Sequence, residues 1–371
     1  MNKQAIHALL AWYEKEKRDL PFRRQRDPYK IWISEIMAQQ TRIEAMLGYY
    51  ERFVARYPAL PDLAEADEDE LMKLWQGLGY YSRARNLKKA AVLCMEEYGG
   101  ALPKTRDALK KLPGIGDYTA GAIASIAYGE RVCALDGNVI RVGARYFWLD
   151  LNYSKTKEKK KLEALLQKSL PDEKDMPAFT QALMELGARV CLPQQANCHI
   201  CPLAPWCKAS SQPQPAFLPK RVVKAPRKIE TKTAVVRAAR KEGQWYLAVH
   251  KRPEKGLLAG LYEFDWQRPE KSASEIQPYA LGEYRHVFSH VEWHMQGILC
   301  IEAYTEDMLP LLEIQEKAAI PSALQPFFKK ACQILETIES PDGCKSMLSA
   351  LKQQETGRQE AESDRSLPEG Q

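Results

Sequence analysis

The stretch Ile31–Leu47, IWISEIMAQQTRIEAML, predicts a helix on which the interpretation of the whole chain depends. Four apolar residues share one helical face in this stretch: Trp32, Ile36, Ile43 and Leu47. Glu35 lies at the margin of that face, where a carboxylate is costly unless it is paired or protonated. Glu35 is then either an ordinary surface residue of a core helix or a general acid whose pKa is raised.

Composition limits the classes of protein that the chain can represent. Its 371 residues are 45% hydrophobic, which is enough for two domains with their own cores. The 54 Lys and Arg outnumber the 48 Asp and Glu, and the formal net charge is +6. This mildly basic balance permits a polyanionic partner without requiring one.

The cellular location follows from the absence of two signals. No apolar run approaches the roughly 20 residues that span a bilayer, and the first 20 residues, MNKQAIHALLAWYEKEKRDL, form a charged amphipathic pattern rather than a signal peptide. We therefore expect a cytoplasmic protein with no membrane partner. Its nine cysteines are an odd number, which in a reducing compartment favours a metal site over disulfides.

Changes in pattern along the chain predict four regions. Residues 1–209 are mostly helical in pattern, and residues 210–229 form a proline-rich basic linker. Residues 230–340 contain β-rich runs followed by a helix, which is typical of an α+β domain. The runs Lys232–Ala239 and Trp245–His250 are joined by a short Lys-Glu-Gly-Gln turn, which predicts a β-hairpin. Residues 341–371 are expected to be disordered, since most of them lack aromatic and β-branched side chains.

Four cysteines are concentrated in the loop 191–207. Cys191, Cys198, Cys201 and Cys207 have the spacing C-x6-C-x2-C-x5-C, which allows either a tetrahedral zinc or a four-iron cluster. His199 lies between them, but four thiolates already complete a ligand set. We therefore interpret His199 as a bystander.

A glycine-containing turn, Leu112–Gly116, separates two predicted helices. Gly114 and Gly116 allow close approach of a ligand to the backbone, and the N–H groups at the next helix start form an anion site. The pattern predicts a helix-hairpin-helix that binds a DNA phosphate without reading sequence. The alternative is a plain turn between two helices. The helix after the turn, TAGAIASIAYG, is rich in small residues, so we expect it to pack closely against another element.

A second carboxylate, Asp136, precedes the amphipathic helix VIRVGARYFWL. An anion near a helix N-terminus is stabilised, so we expect the pKa of Asp136 to stay low. Glu35 and Asp136 would then occupy opposite environments, which is how two carboxylates take the roles of acid and stabilising anion. The alternative is that Asp136 only caps the helix.

Together these motifs closely resemble those of one known protein superfamily. The segments WISEIMAQQTR, GLGYYSRARN, LPGIGDYTAGAI and ALDGNVIRV and the four-cysteine loop resemble the endonuclease III superfamily of helix-hairpin-helix DNA glycosylases. Within it the chain is similar to the adenine-specific family of the MutY type, from residue 5 to about residue 340. The resemblance implies a mostly α catalytic region with an iron–sulfur module, and a Nudix-like α+β C-terminal domain.

The resemblance also implies roles for individual residues. Glu35 matches the acid that protonates adenine, and Asp136 matches the carboxylate that stabilises the oxocarbenium-like sugar. Asn138 matches a residue that supports the pair. Tyr118 stands where bifunctional relatives carry a Schiff-base lysine, which implies a monofunctional enzyme. The four cysteines match the ligands of a [4Fe-4S] iron–sulfur cluster.

Further matches imply contacts with DNA. Gln40 and Tyr80 match residues that insert into the duplex near the lesion, and Arg23 matches an active-site lining position. In the C-terminal domain Phe288, Ser289 and His290 match the loop that recognises 8-oxoguanine. The region after Phe264 lacks the acidic REx2E core of a Nudix hydrolase, so we predict no pyrophosphatase activity.

The sequence therefore predicts excision of adenine mispaired with 8-oxoguanine, with weaker action on adenine opposite guanine. The expected partner is double-stranded DNA containing that pair, bound by a monomeric, nucleoid-associated bacterial protein. Three alternatives are a bifunctional glycosylase/lyase, a non-catalytic iron–sulfur DNA-binding protein and a nucleotide pyrophosphatase. Tyr118 argues against the first of these.

Overall fold

The computed structural model describes the chain in five ranges: 1–150, 152–212, 218–219, 226–267 and 278–339. The chain divides into two compact units, Met1–Ala225 and Pro226–Gln371. The predicted disordered tail and much of the predicted linker lie outside the described residues. No helix within the described ranges is long and apolar enough to cross a membrane.

The described part of the first unit is helical. Its α-helices are α1 (Lys3–Glu16), α2 (Pro28–Met37), α3 (Ile43–Arg56), α4 (Leu60–Ala64), α5 (Glu68–Leu74), α6 (Ser82–Glu97), α7 (Arg106–Leu109), α8 (Asp117–Tyr128), α9 (Gly137–Phe147), α10 (Thr156–Gln167) and α11 (Met176–Arg189). One core lies among α1, α9, α10 and α11. A second, smaller cluster joins Ile31 of α2 to Ala122 and Ile126 of α8.

Helix α8 packs closely against its neighbours because its residues are small. It lies against both α2 and α11. A Cβ atom on Gly121 would lie only 2.4 Å from the carbonyl oxygen of Cys133, so a larger residue has no room there. This close packing brings the start of α8 beside the end of α2.

The prediction of one helix over Ile31–Leu47 is wrong. Helix α2 ends at Met37 and α3 begins at Ile43, and between them Gln40 adopts a left-handed φ of 59°. The spacing of apolar residues continues across the break, which is why periodicity alone does not reveal it. The physical cause is distant in sequence, since the Arg83 guanidinium donates to the carbonyls of Ile36 and Met37 and so satisfies the end of α2.

The second unit is an α+β structure. Its strands and helices are β1 (Lys228–Lys241), β2 (Gln244–Ala248), β3 (His250–Lys251), β4 (Tyr262–Glu263), β5 (Tyr279–Val287), β6 (Val291–Ile301), β7 (Met308–Pro310), α12 (Leu311–Lys317) and α13 (Gln325–Glu339). The main sheet has the order β5-β6-β1-β2-β7, in which only the β1–β6 pair is parallel among the pairs described. Strands β3 and β4 form a separate pair.

The predicted hairpin of the second unit is present. Strands β1 and β2 are antiparallel, and Glu242 and Gly243 at the turn have φ values of 52° and 81°. Positive φ at both central residues is the geometry that suits a two-residue hairpin loop. The predicted fold class, a helical N-terminal region followed by an α+β domain, is confirmed.

Candidate active site

A cleft of about 690 Å³ in the first unit collects all four predicted catalytic residues, Glu35, Tyr118, Asp136 and Asn138. Arg23 and Gln40, which were predicted to line the site or contact DNA, also line it. Arg23 comes from the short turn Pro21–Arg23 that precedes α2. The others come from the C-terminal part of α2 and the residues just after it, and from the starts of α8 and α9, which the packing of α8 brings together. The volume is within the range of sites that bind small ligands or a single base.

Glu35 has the electrostatic environment of a general acid. Burial is the largest cause, and together with the nearby Asp136 charge it raises the pKa of Glu35 to about 7. The Tyr118 hydroxyl donates a hydrogen bond to Glu35 Oε2, and this bond lowers the pKa, as does the Arg23 charge. Glu35 is therefore substantially protonated at neutral pH, as an acid must be.

Asp136 caps α9, but the prediction of a low pKa is wrong. Its Oδ1 accepts from Val139 N at 2.6 Å and its Oδ2 accepts from Asn138 Nδ2 at 2.8 Å. These bonds favour the anion, yet burial outweighs them and raises the pKa of Asp136 above its usual value. The sequence indicates that Asp136 caps a helix, but it does not reveal the burial that raises the pKa.

Asn138 connects Asp136 to the cysteine loop through a single arginine. Arg141 Nη2 donates to Asn138 Oδ1 at 2.8 Å, and Arg141 Nε donates to the Cys191 carbonyl at 2.7 Å. The orientation of the Asn138 amide is thus fixed on both sides. Arg141 therefore links the Cys191 carbonyl to the amide that donates to Asp136.

Sequence reasoning missed two residues that line the same cleft, Arg18 and Glu185. The Glu185 carboxylate is fully buried and accepts from Arg18 Nε at 2.7 Å and from Arg23 Nη2 at 2.8 Å. Because these two arginines favour the anion, the pKa of Glu185 is lowered despite burial. Its position in the apolar run ALMELGA was a signal that could have identified it, since a buried charge requires partners.

A smaller cleft of about 260 Å³ adjoins the end of α2. The predicted DNA-contacting residues Gln40, Tyr80 and Gly114 line it together. Gly114 has a φ of 77°, and a Cβ there would lie 2.7 Å from Asn86 Cβ, so the turn requires glycine at this position. Gly116 precedes α8 with ordinary extended backbone and open space where its side chain would be.

The four cysteines of the loop line one common space. Cys191, Cys198, Cys201 and Cys207 all line it, whereas His199 is exposed and does not. Within the described chain, no three His, Cys, Asp or Glu side chains are arranged to hold a single metal ion. The buried Arg145 guanidinium donates to Cys191 Sγ at 3.3 Å, which suits a thiolate. The four cysteine side chains are a donor set that fits a metal centre held by thiolates.

The triplet Phe288, Ser289 and His290 forms the turn between β5 and β6 in the second unit. Phe288 is partly buried, with its ring 4.6 Å from His286 and 4.9 Å from Trp293 between centroids. Ser289 and His290 are exposed at the tip, and Ser289 Oγ lies 3.2 Å from His290 Nδ1. Ser289 and His290 are therefore accessible at the surface of the second unit, while Phe288 anchors the turn.

Comparisons with known families agree with both units. Residues 33–171 match the HhH-GPD superfamily of base excision DNA repair proteins, and residues 234–330 match the NUDIX domain. A solved structure of a thermostable thymine-DNA glycosylase is similar to this chain with a TM-score of 0.51 and 31% identity. That match covers 55% of this chain and 94% of the other.

Similar curated proteins include the adenine DNA glycosylases of human and rat. The human protein is 36% identical over 77% of this chain and 64% of its own length, so the chain spans slightly less than two thirds of it. The rat protein is 36% identical over 86% of this chain and 76% of its own length. The chain belongs to the adenine DNA glycosylase family, whose members are enzymes of HhH-GPD base excision repair.

Proposed function

We propose that this chain is a monofunctional DNA glycosylase that hydrolyses the N-glycosidic bond of adenine opposite 8-oxoguanine and leaves an abasic site. We also propose weaker action on adenine opposite guanine. The observation that carries this function is the pairing of Glu35, whose pKa is about 7, with Asp136 in one cleft.

Base release needs an acid that reaches an extruded base. Adenine in a stacked duplex is inaccessible, so it must first be moved into the cleft. Its anion is a poor leaving group, and a proton from the Glu35 carboxyl makes departure easier. The Tyr118 hydroxyl donates to Glu35 Oε2 and so fixes the orientation of the Glu35 carboxyl group.

The second carboxylate acts on the sugar. Positive charge builds on the deoxyribose as the bond to adenine breaks, and the Asp136 anion stabilises it. Hydrogen bonds from Val139 N and Asn138 Nδ2 hold that anion in one orientation. Water then completes hydrolysis at the sugar.

Arg23 supports recognition of a purine in this cleft. Its Nη2 is held by the buried Glu185, whereas its buried Nη1 has no hydrogen-bond partner among the described residues. A buried donor without a partner is costly, and a ring nitrogen of the base would satisfy it. Sequence resemblance alone identified Arg23 only as a lining residue.

The absence of an amine at position 118 supports hydrolysis without strand cleavage. A lyase forms an imine between an amine and the sugar, and the phenol of Tyr118 cannot do so. The proposed reaction therefore ends at an intact strand with an abasic site, which breaks only after alkali or heat.

We assign a [4Fe-4S] cluster to the four cysteines, on the support of their shared space and of the family. Bound there, it would supply iron–thiolate bonds that cross-link the loop 191–207. The consequence for catalysis is indirect, because Arg141 connects the Cys191 carbonyl to Asn138 beside Asp136.

Recognition of the opposite base is assigned to Ser289 and His290 at the turn of the second unit. Both side chains are exposed and polar, so they can offer hydrogen bonds to the edge of 8-oxoguanine. DNA is held by phosphate contacts at Gly114–Gly116, with Gln40 and Tyr80 at the lesion. We propose that a monomer acts on double-stranded DNA.

The test is a base-release assay on duplexes with adenine opposite 8-oxoguanine, guanine or thymine, with and without alkali. The proposal expects release opposite 8-oxoguanine above guanine above thymine, with strand breaks only after alkali. Breaks without alkali would favour the glycosylase/lyase alternative. No release from any duplex would favour a non-catalytic DNA-binding protein.

A further inference from the structure

Arg83, the second residue of α6, lies between the segment that carries Gln40 and the segment that carries Tyr80. Its side chain is buried, with 8% of the residue exposed. All five of its acceptors are backbone carbonyls: those of Ile36 (2.6 Å), Met37 (3.0 Å) and Gln39 (3.0 Å) for Nη1, and those of Leu78 (3.0 Å) and Gly79 (3.0 Å) for Nη2. Nη1 thus donates to the segment that carries Gln40, and Nη2 donates to the segment that carries Tyr80.

The two segments share an uncommon backbone feature. Gln40 has a φ of 59° and Tyr80 a φ of 47°, and such values cost free energy in any residue with a side chain. The carbonyl immediately before each of them, from Gln39 and from Gly79, accepts from Arg83. The same guanidinium therefore stabilises both strained positions.

Aromatic rings hold the guanidinium in place. The Arg83 guanidinium lies 5.3 Å from the Trp75 ring centroid and 5.8 Å from that of Tyr80, and Trp75 Nε1 also donates to the Gly79 carbonyl at 3.2 Å. Gln40 is exposed, and Tyr80 is 45% exposed, which is high for a large aromatic residue. Both residues are therefore exposed, on segments whose backbone accepts hydrogen bonds from one buried guanidinium.

We propose that Arg83 is a positioning residue that couples the Gln40 and Tyr80 segments, so that both enter the duplex together when adenine is extruded. This inference rests on the proposed function, in which these two residues act at the lesion. The fork geometry is essential to the role, because each terminal guanidinium nitrogen donates to a different segment, whereas a lysine presents a single ammonium nitrogen. Arg83 does not touch the reacting atoms.

The first test is Arg83→Lys, which keeps the charge and removes the fork. Adenine release opposite 8-oxoguanine should fall roughly 10- to 100-fold, about the range for losing one hydrogen bond from a charged donor. Fluorescence of 2-aminopurine beside the target adenine, which reports extrusion, should rise less on binding. Affinity for an undamaged duplex should stay within about twofold, because the Gly114–Gly116 turn is unchanged.

The matched control is Leu63→Ala, a core variant in α4, which packs against α6. It should lower the unfolding temperature while the folded fraction keeps the wild-type fluorescence change and rate. If Arg83→Lys behaves like Leu63→Ala, or extrudes the base as the wild type does, the positioning role is wrong. If the wild type releases no adenine, the proposed function fails, whereas the fluorescence step still tests Arg83.

A second test needs no change at Arg83 and so does not depend on how that variant folds. Gln40→Ala and Tyr80→Ala are combined in a double-mutant cycle on 2-aminopurine fluorescence. If the segments are coupled, the fluorescence change of the double variant should be at most about threefold smaller than that of the poorer single variant. Independent segments predict that the two losses multiply, and that result would overturn the inference.

Discussion

The hydrogen bond from Tyr118 to Glu35 gives a prediction about pH dependence. Tyr118→Phe removes the hydroxyl that favours the charged form of Glu35. A hydrogen bond to a charged group contributes about 1.5–3 kcal/mol, and one pKa unit corresponds to about 1.4 kcal/mol. The variant should therefore raise the pKa of Glu35 from about 7 by about one unit or more.

The sign of the effect on activity follows from the role of Glu35. A general acid works in its protonated form, so base release should decline as pH rises through the pKa of Glu35. In Tyr118→Phe this decline should begin about one pH unit higher than in the wild type. The variant then retains a larger fraction of its own maximal rate above pH 8 or so.

The assay is single-turnover adenine release from about pH 5 to pH 10, with each variant normalised to its own maximum. The matched control is Tyr128→Phe at the other end of α8, which removes a hydroxyl that donates to the Leu102 carbonyl at 3.0 Å. Its profile should coincide with that of the wild type. A Tyr118→Phe profile that is unmoved, or that moves to lower pH, would refute the reasoning about Glu35.

Three further predictions follow from other parts of the chain. Gly114→Ala should lower the free energy of unfolding by about 1–3 kcal/mol, because residue 114 has a positive φ and its Cβ would lie close to Asn86. Gly116→Ala should leave thermal unfolding nearly unchanged and weaken DNA binding. Equal unfolding temperatures for the two variants would contradict this. Ser289→Ala should lower the ratio of adenine release opposite 8-oxoguanine to that opposite guanine, and an unchanged ratio would exclude Ser289 as the reader. Cys198→Ser should reduce iron content and visible absorption of the purified protein and lower its unfolding temperature; full iron content would contradict the assigned ligand set.

Local signals were sufficient to predict several features of the fold. Gly114 in a Pro-Gly turn predicted the hairpin between α7 and α8, and small residues predicted the close packing of α8. The Glu242-Gly243 turn between two β-rich runs predicted the β1–β2 hairpin. In each case the residues that determine the structure are adjacent in sequence.

Features that depend on distant residues were not predicted. The break after Met37 is stabilised by Arg83, which lies more than 40 residues further along the chain. The raised pKa of Asp136 comes from burial, and no residue near Asp136 indicates that burial. The charge of Glu185 is stabilised by Arg18 and Arg23, which both lie more than 160 positions earlier in the chain.

The sequence predicted which residues form the candidate site, but not the pKa values of its carboxylates. Resemblance supplied Glu35 and Asp136, and the cleft brings them together. The charge state of Glu35 at neutral pH could only come from the surrounding burial and from the Tyr118 hydroxyl. Sequence pattern cannot supply either quantity, since both depend on the contact between α2 and α8.

The proposed function requires that Glu35 is the acid that releases adenine. Single-turnover adenine release by the wild type and by Glu35→Gln, near pH 7 on a duplex with adenine opposite 8-oxoguanine, tests this role. We expect a loss of about 100- to 10,000-fold with binding to the duplex retained. Release by Glu35→Gln at the wild-type rate would contradict it.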